Sequence, residues 1–360
     1  MTRGVVYAEP DAAPAVEELT VEPPGPREVL VRVHACGLCH SDLQVVETKA
    51  VGMRFPVLLG HEGAGVVEEV GSDVTTVAPG DRVVIAWRAP CGECPQCRRG
   101  DARRCSSQLR AKRRLHRAAD GSLLSPVLRC GTFAEQAVVH EACAVRTPEA
   151  LPFEQAALLA CGFSTGAGAA LWATPVREGA SVAVIGCGGV GLAVIQGARL
   201  AGAERIVAVD LAADKLGHAS ALGATDTVDA SAGDPVEAVR ELTGGGVEFA
   251  FTAIEPPAGL EQAIRMCAYA GTATLVGMPK PGAKLDADLY SDVFGPKVAI
   301  AVTHGGDTIP QEDFPLLAQA ALDGRIDLAR FVTSTIPLED VPDRLPHIGE
   351  GGEIRTVAVL

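Results

Sequence analysis

Ser181-Val182-Ala183-Val184-Ile185-Gly186-Cys187-Gly188-Gly189-Val190-Gly191 is the stretch that decides the fold. A short apolar run reads as a buried strand, and the G-x-G-x-x-G that ends it opens directly into a helical pattern over 189–202. Gly186 permits the tight turn, Gly188 lets backbone approach a pyrophosphate, and Gly191 lets helix and strand pack closely. Gly189 begins a helix whose N-terminus then faces the phosphates. The next apolar strand, RIVAVD, ends at Asp210, 19 residues after Gly191. A carboxylate there would accept hydrogen bonds from the adenosine ribose and repel a 2′-phosphate, which predicts NAD rather than NADP. Lys215, one turn on, is a second candidate for that ribose. The bland alternative is a glycine-rich turn without a ligand.

Outward from this motif the rhythm continues. Strand patterns RIVAVD, TDTVD, VEFAFTA and TATLVG alternate with helical patterns over 212–222, 234–242 and 257–269. Apolar strands separated by helices predict a parallel, doubly wound sheet. Residues 1 to about 150 read differently, as short strands bounded by Gly and Pro. EVLVRVHA (Glu28–Ala35) alternates, and 65–71 and 82–87 are β-rich. That predicts an antiparallel β domain. The tail has two helical patterns, near 312–323 and 338–348, and closes on a β-like run over 353–360. It leaves the strand–helix beat, so it is expected to rejoin the β domain. The predicted division is 1–160 plus 301–360, and 161–300.

A chain of 360 residues suits two cores. Its net charge of −14 argues against nucleic-acid binding. No apolar run suits a signal peptide or a membrane span, so a cytoplasmic protein is expected. The 11 cysteines, odd in number and without a leader, point to metal or thiol chemistry. Cys91-x2-Cys94-x2-Cys97-x7-Cys105 suits a closed tetrahedral zinc site, hence a structural one. An iron–sulfur loop would place its fourth cysteine after three residues and before proline. A second set is dispersed: Cys39 in CGLCHSD, His61 in GHEGAG and Cys161 in ACGFSTG. Together they would hold a zinc ion and leave a fourth position open. Taken singly, His61 reads equally as a core histidine and Cys161 as a small hydrophobe.

The motifs CGLCHSD, GHEGAGVVEEVGSDV, PGDRV, CGECPQC…C, ACGFSTG, VIGCGGVGL, VGMP and IRTV together give the chain a specific resemblance. It resembles the zinc-dependent alcohol dehydrogenases of the medium-chain dehydrogenase/reductase superfamily over essentially its whole length. The nearest subgroup looks like the glutathione- or mycothiol-dependent formaldehyde dehydrogenases. The resemblance implies an α/β protein: a GroES-like antiparallel β catalytic domain split around a Rossmann domain. It implies two zinc ions per chain, NAD(H), and hydride transfer between a zinc-held alcohol or aldehyde and nicotinamide. In that reading Cys39, His61 and Cys161 bind catalytic zinc, Asp42 orients His61, and Glu62 sits behind the metal. Ser41 hydrogen-bonds the alcohol oxygen. His40 and Arg355 contact the pyrophosphate, Thr165 and Val190 press on the nicotinamide, and Val276 joins the cofactor site. Trp87 walls the substrate pocket. Homodimers or homotetramers are implied, with 298–303 a candidate strand for pairing between subunits.

Three departures stand out, one being that residues 291–307 match the family's pattern poorly. Gln44 occupies the position, three residues after Ser41, where relatives often end a proton relay with histidine. The segment 98–117 holds nine Lys/Arg against one acid. It reads either as a solvated loop or as a grip on an anionic substrate, with Arg110, five residues after Cys105, nearest the place where glutathione-dependent relatives use an arginine. Competing functions are a thiol-adduct formaldehyde dehydrogenase and, more remotely, a non-catalytic zinc- or redox-responsive binding protein.

Overall fold

A computed structural model describes residues 1–350 and 352–360. It divides into two units, Met1–Cys161 with Ile309–Leu360, and Gly162–Thr308.

The first unit is organised by the strand Glu28–Gly37. Glu62–Val70, Gln136–His140 and Arg355–Val359 all pair with it antiparallel. Beyond them lie Arg82–Ile85 and Ala144–Arg146, completing most of a seven-stranded sheet. Alternation explains the pairing: Val29, Val31 and Val33 face a core shared with Val67, Val83 and Ile85. A second, five-stranded sheet is built on Thr2–Tyr7. The expected antiparallel character has two exceptions, the short parallel pair Val57–Leu58 with Ser125–Pro126 and a longer one. Val332–Pro337 runs parallel to Arg355–Val359, because a helical crossover joins them. That crossover, expected as one helix over 338–348, is broken into Leu338–Asp340, Val341–Arg344 and Leu345–His347. Pro342 and Pro346 supply no amide hydrogen, so no long helix can form there.

The second unit is a six-stranded, wholly parallel sheet. Its order is Asp226–Asp229, Arg205–Asp210, Ser181–Ile185, Val247–Thr252, Cys267–Leu275 and Ala299–Val302. This is the order of the Rossmann fold. Local signals place its helices. Pro235–Thr243 starts on Asp234, whose carboxylate accepts from the Val236 amide at 2.8 Å, and stops at Gly244 with φ 69°. Among the described residues no helix is long and apolar enough to cross a membrane.

The boundaries differ from those expected. Cys161 closes the first unit, and 301–308 stays with the second. The strand Ala299–Val302 belongs to the parallel sheet, and the Gly305–Asp307 turn then packs on the helix Gly162–Gly168. Gly306 makes this possible: at φ 67° it lies against the backbone of Ser164, Thr165 and Gly168.

Candidate active site

Cys39 sits in extended backbone immediately before the helix His40–Glu47, so its side chain leaves the sheet where the helix begins. Strand pairing brings the next residues alongside. Gly37 is the direct partner of Glu62, and a Cβ at Gly37 would overlap the Glu62 carboxylate. Gly60 turns at φ 93°, where a side chain would strike the backbone of Phe133, and delivers His61 beside Glu62. Cys161 follows the helix Phe153–Leu158, which docks on the Glu28–Gly37 and Glu62–Val70 strands. Ligand atoms of Cys39, His61, Glu62 and Cys161 all lie within 4.8 Å of one another.

The surroundings suit a cation. Asp42, fully buried, accepts from the Gly60 amide at 2.8 Å through one oxygen, and its other lies 2.9 Å from His61 Nδ1. That leaves Nε2 of His61 for the cluster, buried and without a hydrogen-bond partner. Contact with Cys161 holds the Cys39 thiol well below its ordinary range, against burial, and the His61 charge helps. The same contact with Cys39, with burial, pushes Cys161 well up. Burial opposes a charged His61, but Asp42 and Cys39 hold it well above its usual value. Two thiols, one imidazole and a carboxylate form a soft donor set, the donor chemistry of zinc.

Ser41 Oγ lies 3.7 Å from Cys39 Sγ, at the edge of the cluster. His40 is exposed. Arg355 has a place the sequence did not reveal. It is buried, donates through Nη1 to the Leu38 carbonyl at 3.1 Å, and holds Nη2 3.7 Å from Glu62. Trp87 is half-buried on the Val31–Val83–Ile85 core.

The four-cysteine loop closes on itself. Cys105 Sγ lies 3.8 Å from Cys94 Sγ and 3.6 Å from Cys91 Sγ, and all four thiols lie within 4.8 Å. A tetrahedral zinc with Zn–S of about 2.3 Å places its sulfurs about 3.8 Å apart, so the loop fits that ion. The Cys91 and Cys94 amides each donate to a loop sulfur at 3.3 Å. No disulfide competes: these cysteines are free.

The basic segment divides. Arg103 grips Asp313, a fully buried carboxylate, through both guanidinium nitrogens at 2.6 and 3.1 Å. Arg104 pairs with Asp101, Arg114 with Glu22 and Glu28, and Arg117 with Glu17 and Asp120. These four are braces. Arg110 is exposed, and its charge acts on Arg129.

In the second unit, Gly186 turns at φ 89°, and a Cβ on Gly191 would overlap its carbonyl. A Cβ on Gly188 would meet nothing within 4 Å, leaving a backbone cradle open ahead of the helix Gly189–Leu200. Asp210 accepts from the Cys187 amide at 2.7 Å and the Ala212 amide at 3.0 Å. It therefore holds the glycine turn. The Lys215 charge acts on Cys187. Val190, half-buried, starts that helix, Thr165 lies on the helix Gly162–Gly168, and Val276, just past the strand Cys267–Leu275, donates to the Thr252 carbonyl at 2.9 Å.

Known proteins share this architecture. The family described as alcohol dehydrogenase GroES-like domain matches residues 25–149, and that described as zinc-binding dehydrogenase matches 189–322. S-(hydroxymethyl)glutathione dehydrogenase of Photobacterium damsela subsp. piscicida is 36% identical over 366 residues, 99% of each chain. A zinc-binding-domain alcohol dehydrogenase from Burkholderia ambifaria superposes with a TM-score of 0.93 at 36% identity, covering 100% of this chain and 98% of its own. A zinc-binding dehydrogenase from Sinorhizobium meliloti 1021 bound to NADP superposes with a TM-score of 0.84 at 27% identity, covering 100% and 99%.

Proposed function

The chain belongs to the zinc-dependent alcohol dehydrogenase family and is an oxidoreductase, and from that premise we propose that it moves hydride between a small alcohol or aldehyde and NAD. The observation that carries this reading is the convergence of Cys39, His61 and Cys161 beside Glu62. Those three residues would hold a catalytic zinc, and Cys91, Cys94, Cys97 and Cys105 a structural one. Zinc bound at the first site would supply Lewis acidity, favouring loss of the alcohol proton in one direction and polarising a carbonyl in the other.

The rest falls to the chain's own groups. Asp42 keeps the proton of His61 on Nδ1, so that Nε2 stays a donor of electrons. Ser41 Oγ accepts the hydroxyl proton of the alcohol and returns it in reverse. Gln44 cannot ionise, so the proton passes from Ser41 to solvent without a histidine step. Arg355 fixes Glu62 behind the ligands; His40 is exposed enough to meet a pyrophosphate. Gly186, Gly188, Gly189 and Gly191 supply the phosphate cradle, Thr165, Val190 and Val276 the nicotinamide side, and Trp87 a pocket wall. The exposed edge strand Ala299–Val302, with Ile300 and Val302 open to solvent, supports pairing with a second copy.

Asp210 favours NAD through ribose hydrogen bonds and repulsion of a 2′-phosphate. Asp210→Ser is expected to shift the NAD-to-NADP preference toward NADP by about 10- to 100-fold, the worth of hydrogen bonds to a charged group. Steady-state kinetics with both cofactors measures it; an unchanged ratio removes Asp210 from specificity.

A second reading is favoured by the relative named S-(hydroxymethyl)glutathione dehydrogenase: oxidation of a formaldehyde–thiol adduct. NADH formation should be followed with primary alcohols, aldehydes, and formaldehyde with and without glutathione or mycothiol. Activity on formaldehyde only with added thiol selects the second reading. No turnover of any of these by zinc-replete protein defeats both.

A further inference from the structure

Cys161 is the last residue of the first unit, and the segment that brings it there begins on an aromatic anchor. The imidazole of His34, on the strand Glu28–Gly37, stacks on the Phe153 ring with centroids 4.6 Å and planes 6° apart. The Arg82 guanidinium, on the strand Arg82–Ile85, also lies over that ring, 3.6 Å from its centroid. Arg82 donates through Nη2 to the Leu151 carbonyl at 2.8 Å, and its own carbonyl accepts from the Thr147 amide at 2.9 Å. Two strands of one sheet thus hold the chain from 147 to 152 and the first residue of the helix Phe153–Leu158.

The arrangement is costly. Among the described residues, His34 Nε2 and Arg82 Nε are buried without a hydrogen-bond partner. Burial, then the charges of Arg32 and Arg82, hold the His34 imidazole below its ordinary value against the pull of Glu68, so it meets Phe153 as a neutral ring. Valine at both positions would suit the strands without stranding a polar atom. What the two polar side chains add is a pair of flat faces that fix the plane of the Phe153 ring. From that ring the hydrogen bonding carries on: the Ala156 amide donates to Pro152 at 2.9 Å, and the Leu159 and Ala160 amides to Ala156 and Ala157 at 3.0 Å. A helix of six residues has little hold on its own direction. Cys161 lies eight positions beyond Phe153, roughly 12 Å along such a helix, so a tilt of about 5° at the start moves the thiol by about 1 Å. Metal–ligand distances tolerate only about 0.2 Å.

We propose that His34 and Arg82 are positioning residues for the Cys39 metal site: by clamping Phe153 they set the direction of its helix, and with it the distance of Cys161 from Cys39 and His61. The inference rests on the zinc reading above and goes beyond it, since neither residue belongs to the ligand cluster. Both act at a distance, through a ring and a short helix.

Zinc release from the full chain to a chromogenic chelator separates the two sites, because the Cys39→Ser protein should show only the phase that belongs to the four-cysteine loop. His34→Val removes the ring but keeps a side chain suited to a strand. It should speed release from the Cys39 site about tenfold, the low end for residues that orient metal ligands, and leave the loop phase unchanged. Arg82→Met should act in the same direction. His34→Phe, which restores a flat face, should return release to within about twofold of the parent. Phe153→Leu should speed release as well, and adding His34→Val to it should have no further effect, because the imidazole acts through that ring. With cobalt in place of zinc, the visible bands of the Cys39 site should shift in His34→Val and hold in His34→Phe. Release from the Cys39 site unchanged in His34→Val or Arg82→Met, equal acceleration of both phases, or no recovery in His34→Phe overturns the clamp and leaves the zinc reading standing. A parent protein that shows the loop phase alone would instead defeat the zinc reading, and this inference with it.

Discussion

Replacing Cys39 by serine is expected to lower turnover about 10³-fold or more, because several kcal/mol of transition-state charge stabilisation depend on the ion this thiolate would hold. A serine hydroxyl is nearly isosteric with the thiol but is a poor ligand at neutral pH. The local fold should survive. Leu38 stays anchored through its amide to the Thr356 carbonyl at 2.9 Å and through its carbonyl to Arg355 at 3.1 Å. Elemental analysis should find zinc falling from two ions per chain to one, since the four-cysteine loop is untouched. Activity within tenfold of the parent, or two zinc ions retained, would remove Cys39 from the catalytic centre. Loss of both ions would instead mean that the two sites depend on each other.

The second large effect concerns stability. Asp313 is fully buried, and its carboxylate is satisfied by Arg103 and by the Ile309 amide at 2.6 Å. Arg103→Ala should therefore cost about 3 kcal/mol, the lower end for stripping a buried charge of its partner, because the guanidinium itself keeps some contact with water. The pair need not be strongly stabilising overall. Arg103→Leu with Asp313→Leu should recover most of the loss, since no charge is then stranded. Denaturant unfolding of the three variants tests this. An Arg103→Ala protein within about 0.5 kcal/mol of the parent would place the pair among ordinary surface contacts.

Much of this architecture was legible because its signals are local. A glycine turn must lie between a strand and a helix, and Cys91, Cys94, Cys97 and Cys105 can reach one another within a single loop. The alternation in EVLVRVHA likewise needs only neighbouring positions. Cys39, His61 and Cys161 were legible only through the motifs around them, because nothing local says that distant ligands converge. Long-range partnerships were hidden for the same reason. The separation of 210 positions from Arg103 to Asp313 carries no periodicity, and the inward turn of Arg355 onto Glu62 depends on two strands meeting. The basic segment showed its charge in sequence but not its division into braces and unpaired cations. The apolar spacing over 338–348 suits one helix, but Pro342 and Pro346 lack amide hydrogens and break it into short turns. The boundary near 300 moved because the last parallel strand and its glycine turn pack with what precedes them.

The Arg103–Asp313 clasp bears on the order in which a ribosome could complete this protein. Cys91 to Cys105 emerge together, so that loop can chelate its ion while most of the chain is still unmade. The acid that pins it arrives more than two hundred residues later, and the strand that supports the Cys39 neighbourhood, Arg355–Val359, comes later still. A nascent chain stalled before that point would carry its structural ion yet lack the support that holds its chemistry together.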